Sequence, residues 1–289
     1  MTIRPRRSVL YMPGSNARAM EKARALPADA LILDLEDAVA PDAKELARAQ
    51  VCEAVKAKSF GRREIVIRIN ALATQWGAAD LVAAASAQPD AILIPKVSAP
   101  RDLADVEEHL TGTKGSTISL WAMMETPLAI LNAGAIAGAG GKLACLVMGT
   151  NDLNKEFRGR HTPDRQNLSA ALSLCVAAAR AYGLSVIDGV YNDIANAEGF
   201  LETCKQARAF GFDGKTLIHP SQLAPCNEVF APSPAEVEAA RKIIAAFDLP
   251  ENRDKGAIAL DGRMVERLHA EIARSAVALA DAIAALDAA

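Results

Sequence analysis

Short runs rich in Val, Ile and Leu recur along the chain, and each is followed by a stretch with helical periodicity. The runs are Ser8 to Met12, Ala30 to Leu35, Ile65 to Ile69, Ala91 to Ile94, Thr117 to Met123, Cys145 to Met148, Ser185 to Ile187 and Lys215 to Ile218. Stretches such as Ala30-Leu31-Ile32-Leu33 and Ile65-Val66-Ile67 are almost continuously apolar. That pattern belongs to parallel strands buried on both faces, because a half-exposed strand alternates. The helices between them carry start signals. Pro41, Pro127 and Pro163 stand where a first turn should begin, and Thr126 and Thr162 precede two of them as N-caps. Ser233-Pro234-Ala235-Glu236 reads as a capping box, with Val237, Ala240, Ile244 and Phe247 following at helical spacing. A polar loop is expected from Pro250 to Gly262, then an Ala-rich helix over 264–286.

Eight strand–helix repeats predict an α/β fold, a (β/α)8 TIM barrel over residues 1–232, followed by a C-terminal helical extension over 233–289. A doubly wound sheet is the rival, but it usually has a glycine-rich first turn, and here that turn reads Pro13-Gly14-Ser15-Asn16.

Composition narrows the function. The chain has 289 residues, 51% hydrophobic and 23% charged, enough to bury a large core. Thirty-five acidic and 32 basic residues give a net charge of -3, so no basic field points to nucleic acid. No apolar run approaches the roughly 20 residues of a membrane span. No secretory hydrophobic segment separates Arg7 from Pro13-Gly14, and a cytoplasmic location is expected. The five cysteines (Cys52, Cys145, Cys175, Cys204 and Cys226) form no CxxC and read as reduced, buried apolar side chains.

In a barrel the active site lies at the C-terminal ends of the strands. The runs end in Asp34-Leu35-Glu36-Asp37, Arg68-Ile69-Asn70, Pro95-Lys96, Glu125-Thr126, Gly149-Thr150-Asn151-Asp152, Asp188-Gly189 and His219-Pro220. Glu125 and Asp152 end consecutive runs, and neighbouring strands lie about 4.8 Å apart. Two carboxylates so close repel unless a cation stands between them. A hard divalent ion, Mg²⁺, suits one or two carboxylates completed by water and substrate oxygens, and Glu36 and Asp37 would orient its waters; the alternative is that these acids cap helices or pair with Arg and Lys. Arg68 would grip a substrate carboxylate through two parallel hydrogen bonds, or else make a structural ion pair with Asp34 or Glu36. An ion beside an arginine suits an α-keto acid, which points to a Mg²⁺-dependent lyase or aldolase. Lys96 reads as a charged structural or substrate-contacting lysine, with a Schiff base as the alternative. His219 reads as a packed residue, with a catalytic base as the alternative. The stripe Arg4, Arg6, Arg7, Arg18 and Lys22 is either a phosphate-binding surface or a solvated basic face.

Taken together, Arg7-Ser8-Val9-Leu10-Tyr11-Met12-Pro13-Gly14, Asp34-Leu35-Glu36-Asp37-Ala38-Val39, Ile67-Arg68-Ile69-Asn70, Ile94-Pro95-Lys96-Val97, Met124-Glu125-Thr126-Pro127, Gly149-Thr150-Asn151-Asp152-Leu153 and Gly211-Phe212-Asp213-Gly214-Lys215 running into Ile218-His219-Pro220 resemble the citrate lyase beta-subunit-like (CitE-like) family of the HpcH/HpaI aldolase superfamily. The resemblance covers almost the whole chain. It implies a Mg²⁺-dependent enzyme, a homotrimer or hexamer, that cleaves or forms a 3-hydroxyacyl-CoA thioester such as malyl-CoA, citramalyl-CoA or a citryl thioester. The products would be acetyl-CoA and glyoxylate, pyruvate or oxaloacetate. The implied metal ligands are Glu125 and Asp152, the implied substrate-carboxylate arginine is Arg68, and the implied water-holding acids are Glu36 and Asp37. Coenzyme A contacts would fall near Arg7, Lys22, Ile218 and His219. Many relatives carry a Met-Ile-Asp-x-Pro segment whose aspartate enters the neighbouring subunit's site, and the extension is expected to pack there. This chain reads Met264-Val265-Glu266-Arg267, so Glu266 stands in for that aspartate. The competing expectations are a Mg²⁺ aldolase for hydroxy-keto acids without coenzyme A, and a non-catalytic citrate lyase-like subunit.

Overall fold

The computed structural model describes residues 4–288. The chain divides into two compact units, Arg6–Asn227 and a smaller one made of the segment up to Pro5 together with the chain from Glu228 onward. The larger unit is a closed barrel of eight parallel strands: β1 (Ser8–Pro13), β2 (Ala30–Asp34), β3 (Glu64–Arg68), β4 (Ala91–Ile94), β5 (Ser119–Met124), β6 (Leu143–Met148), β7 (Ser185–Asp188) and β8 (Gly214–Leu217). Closure runs through β1 and β8, with Ser8 opposite Lys215 and Leu10 opposite Leu217. Every apolar run expected to be a strand is one. The fifth starts later than its apolar pattern, because Lys114–Thr117 is held in a 3-10 turn by Thr113, whose hydroxyl accepts the Gly115 N–H at 3.0 Å.

Inward side chains fill the barrel. Val9, Ile32, Val66, Leu93, Trp121, Val147 and Ile187 form one buried cluster, and each large apolar side chain so buried contributes about 1.5–3 kcal/mol. Arg6 pairs with Glu64 through two bonds of 2.6 and 2.7 Å, donates to Ser185 at 2.7 Å and stacks 5.1 Å from the Trp121 ring. Because Arg6 and Glu64 lie at the strand starts, this group closes the end opposite the mouth. Behind the wall, Lys215 and Arg165 both pair with Asp188, at 2.6 and 2.8 Å. The two cations outweigh the cost of burial and hold the Asp188 carboxyl below its ordinary range.

That network explains one departure from expectation. Thr162-Pro163 starts no helix; a 3-10 turn follows at Gln166–Leu168, and the next α-helix is Ser169–Ala181. Arg165 takes a left-handed backbone (φ 50°) while its guanidinium reaches Asp188 and Gln206, and tertiary pairing overrides the local start signal. Thr126-Pro127 behaves as expected, its hydroxyl accepting the Ala129 N–H at 3.0 Å.

In the smaller unit, helices Pro234–Asp248 and Arg267–Asp287 accompany an antiparallel hairpin of β9 (Ala257–Leu260) and β10 (Arg263–Glu266). The Ser233–Glu236 capping box forms, with reciprocal bonds of 2.7 and 3.2 Å. The hairpin replaces part of the expected polar loop and moves the last helix start from 264 to 267. Asp261 and Gly262 both take positive φ (52° and 75°), the two-residue turn that twists strands into register. Phe247, Ile258 and Ala270 form the local core.

Candidate active site

The strand ends of the barrel surround a cleft of about 300 Å³, at the lower end of the range for small-molecule sites. Tyr11, Asp34, Arg68, Met123, Glu125, Gly149, Asp152, Asn192, Thr216 and Ile218 are among the residues lining it. Glu125 and Asp152 reach it from the ends of β5 and β6, as expected. Glu125 is almost fully buried, and its Oε1 accepts the Lys96 N–H at 2.8 Å. Its Oε2 is buried without a hydrogen-bond partner. Burial, more than the nearby Asp152 charge, pushes its carboxyl above the ordinary range, while Lys96 opposes the shift. Gly149 permits this packing, since a Cβ there would lie 2.4 Å from Glu125 Cβ and 2.5 Å from Oε2. Between the two acids stands Lys96 Nζ, 3.4 Å from Glu125 and 2.9 Å from Asp152. Burial works against the Lys96 charge, but Asp152 and Glu125 outweigh it and hold the ammonium above its usual range.

Arg68 is oriented by its own protein. Nε and Nη2 donate to the two Asp34 oxygens, both at 2.7 Å, and the guanidinium stacks 4.8 Å from the Tyr11 ring. Nη1 lies 2.9 Å from Glu36 and 3.6 Å from Asp37. The two-bond grip expected for a substrate carboxylate is therefore made by Asp34, and Nη1 faces Glu36, which is the structural ion pair held open as the alternative. Asp34 also accepts the N–H groups of Glu36 and Ala38 at 2.9 and 3.0 Å, which shapes the acidic loop. Beneath it, buried Lys44 donates to the carbonyls of Leu35 and Glu36 and to Asn70, at 2.7–2.9 Å. Burial pushes the Glu36 carboxyl up to about 8, against the pull of Arg68.

The remaining expected residues disperse. Ile218 lines the cleft, and its N–H donates to Gln222 at 3.0 Å. His219 Nδ1 accepts the Ser221 N–H at 3.2 Å and lies 2.8 Å from its hydroxyl, so the ring caps a turn. Lys22 is exposed in the last turn of helix Ala17–Ala23. Arg7 is not brought to the mouth: it precedes β1 and is buried against Asp29 through bonds of 2.8 and 2.9 Å. With Arg6 buried on Glu64 as well, the basic stripe is not a continuous face. Glu266 belongs to the smaller unit, where its N–H donates to His269 at 2.9 Å just before the last helix.

The donor set fits a hard divalent ion. Among the described residues no three His, Cys, Asp or Glu side chains are grouped as a metal cage, and Mg²⁺ requires none, since it keeps waters and substrate oxygens. The unpartnered Glu125 oxygen and the nearby Asp152 carboxylate are the groups that would supply the protein's share.

The family model for HpcH/HpaI aldolase/citrate lyase matches residues 7–220. The chain belongs to this family. Members of the HpcH/HpaI family similar to it include a (3S)-malyl-CoA thioesterase of Cereibacter sphaeroides, 52% identical over 97% of this chain and 96% of that protein. The citrate lyase subunit beta of Escherichia coli is 34% identical over 91% of this chain and 89% of its own. The structure of CitE from Mycobacterium tuberculosis in complex with magnesium, acetoacetate and coenzyme A superposes with a TM-score of 0.78 at 28% identity, covering 97% of this chain and 100% of that one. These matches place the chain among the enzymes of a lyase family and agree with its (β/α)8 barrel. The Asp34 ion pair is the alternative that sequence reasoning left open for Arg68, whereas Lys44 and Tyr11 were missed as site residues.

Proposed function

We propose that this enzyme is a Mg²⁺-dependent carbon–carbon lyase for a malyl-type 3-hydroxyacyl-CoA thioester, releasing or condensing acetyl-CoA and a keto acid. The observation that carries the reading is the mouth itself, an acid pair bridged by a cation beside a buried, fixed arginine. Bound Mg²⁺ would act as a Lewis acid toward the substrate's oxygens and offset developing negative charge. Glu125 and Asp152 would hold the ion, with Glu36 and Asp37 positioning its waters. Arg68 Nη1 would meet the substrate carboxylate, while Asp34 keeps the guanidinium in one orientation. Removal of the hydroxyl proton lets the C–C bond break, leaving a keto acid and the enolate of acetyl-CoA, which takes up a proton. Glu266, supplied by a neighbouring copy in a trimer or hexamer, would be the group that exchanges this proton. Ile218 would flank the thioester arm, with His219 and Lys22 nearer the coenzyme A tail. A cytoplasmic enzyme is the accompanying expectation.

Thioester hydrolysis is the second reading, favoured by the 52% identity to a protein named as a thioesterase. In it, water adds to the thioester carbonyl and the coenzyme A thiol leaves. One incubation with (3S)-malyl-CoA and Mg²⁺ separates the two. Glyoxylate and acetyl-CoA without free thiol support the lyase; malate and free coenzyme A without glyoxylate support hydrolysis. No conversion of malyl-, citramalyl- or citryl-CoA, with turnover of a CoA-free hydroxy-keto acid, would move the assignment to a simple aldolase. Glu125→Ala and Asp152→Ala are expected to abolish Mg²⁺-dependent turnover while the barrel stays folded by circular dichroism; normal rates in either would remove the metal assignment.

A further inference from the structure

Lys96 follows β4 in a left-handed backbone conformation, φ 57°. A residue with a long side chain rarely takes that conformation, and it persists only where the surroundings hold it. Two contacts hold it here. Its N–H donates to Glu125 Oε1 at 2.8 Å, and its Nζ stands 3.4 Å from Glu125 and 2.9 Å from Asp152. The main chain thus clamps one acid while the side chain bridges both. A divalent ion held by Glu125 and Asp152 would draw on the same carboxylate oxygens that Lys96 Nζ now faces. An ammonium and a dication cannot share those oxygens, because they repel and compete for them.

We propose that Lys96 is an internal cation that closes the Glu125–Asp152 pair in the metal-free enzyme and is displaced when the ion binds. The proposal rests on Glu125 and Asp152 being the metal ligands. The Lys96 side chain is 40% exposed, so its ammonium has solvent to swing into, whereas Glu125 stays fixed by the main-chain N–H. The acid pair is then neutralised in both states. The lysine lowers metal affinity and keeps the metal-free mouth from splaying, and metal binding frees an ammonium at the rim of the cleft.

The test uses the full chain, Lys96→Met, and Mn²⁺ as the paramagnetic probe. Loss of the competing ammonium is expected to tighten Mn²⁺ binding by roughly tenfold, within the usual range for linked ligands. Metal-free Lys96→Met is expected to melt below the metal-free parent, with the gap closing in Mg²⁺. In the unaltered chain, acetylation of Lys96 read by mass spectrometry is expected to rise severalfold when Mg²⁺ is added. Equal Mn²⁺ affinities would overturn the proposal. So would tighter binding with labelling that Mg²⁺ leaves unchanged, since Lys96 would then be only a nearby repelling charge. No Mn²⁺ bound by either protein would bring down the metal reading as well, whereas equal binding by both brings down this proposal alone.

Discussion

Glu36 shows how one carboxyl can couple the mouth to solution pH. It sits 2.9 Å from Arg68 yet is buried enough to titrate near 8 instead of 4.5. Between those values the folded, metal-free protein keeps a proton that the unfolded chain releases. Folding therefore binds protons, and stability falls as pH rises through this window. The expected outcome is a metal-free parent that loses stability from pH 5 toward 8 relative to Glu36→Gln, by a few kcal/mol at most. Parallel denaturation curves across that range would show that Glu36 ionises normally. At the same scale, Arg68 was legible as a strand-end arginine. The choice among a substrate carboxylate, Asp34 and Glu36 was not, because these acids lie more than thirty positions away in sequence.

At the level of elements, the β6 end matters most. Its Gly149 lies against Glu125 on the neighbouring strand end, with no room for a Cβ. Gly149→Ala is expected to push the Glu125 carboxylate aside, weaken Mn²⁺ binding by about tenfold or more, and cost about 1–3 kcal/mol from overpacking. Unchanged Mn²⁺ affinity would mean that the Glu125 position does not govern the site. The turn after Thr162 and the hairpin of β9 and β10 mark where element reading failed. Arg165 followed a buried partner, Asp188, instead of its local start signal. Asp261-Gly262 was a hairpin signal between short apolar runs, and a polar composition masked it.

Across the whole molecule, the mouth acids and the arginine come from the barrel unit, whereas Glu266 comes from the smaller one. A proton-exchanging carboxyl contributed from outside the barrel should separate from metal binding. Glu266→Gln is expected to keep Mn²⁺ affinity and melting temperature while lowering kcat at least tenfold. An unchanged kcat would confine Glu266 to the helix start, where it meets His269. No helix among the described residues is long and apolar enough to cross a membrane.

The chain order alone carried the eight strands, their sequence around the barrel and the acids at their ends. Continuous apolar runs and strand-terminal polarity are local properties, and closure then leaves one place for the polar ends to meet. Tertiary structure decided which partner each charge faces: Asp34 for Arg68, Asp29 for Arg7, Glu125 and Asp152 for Lys96. Those choices depend on distances between residues far apart in the chain, and on the cost of burying a charge without its counterpart, neither of which periodicity records.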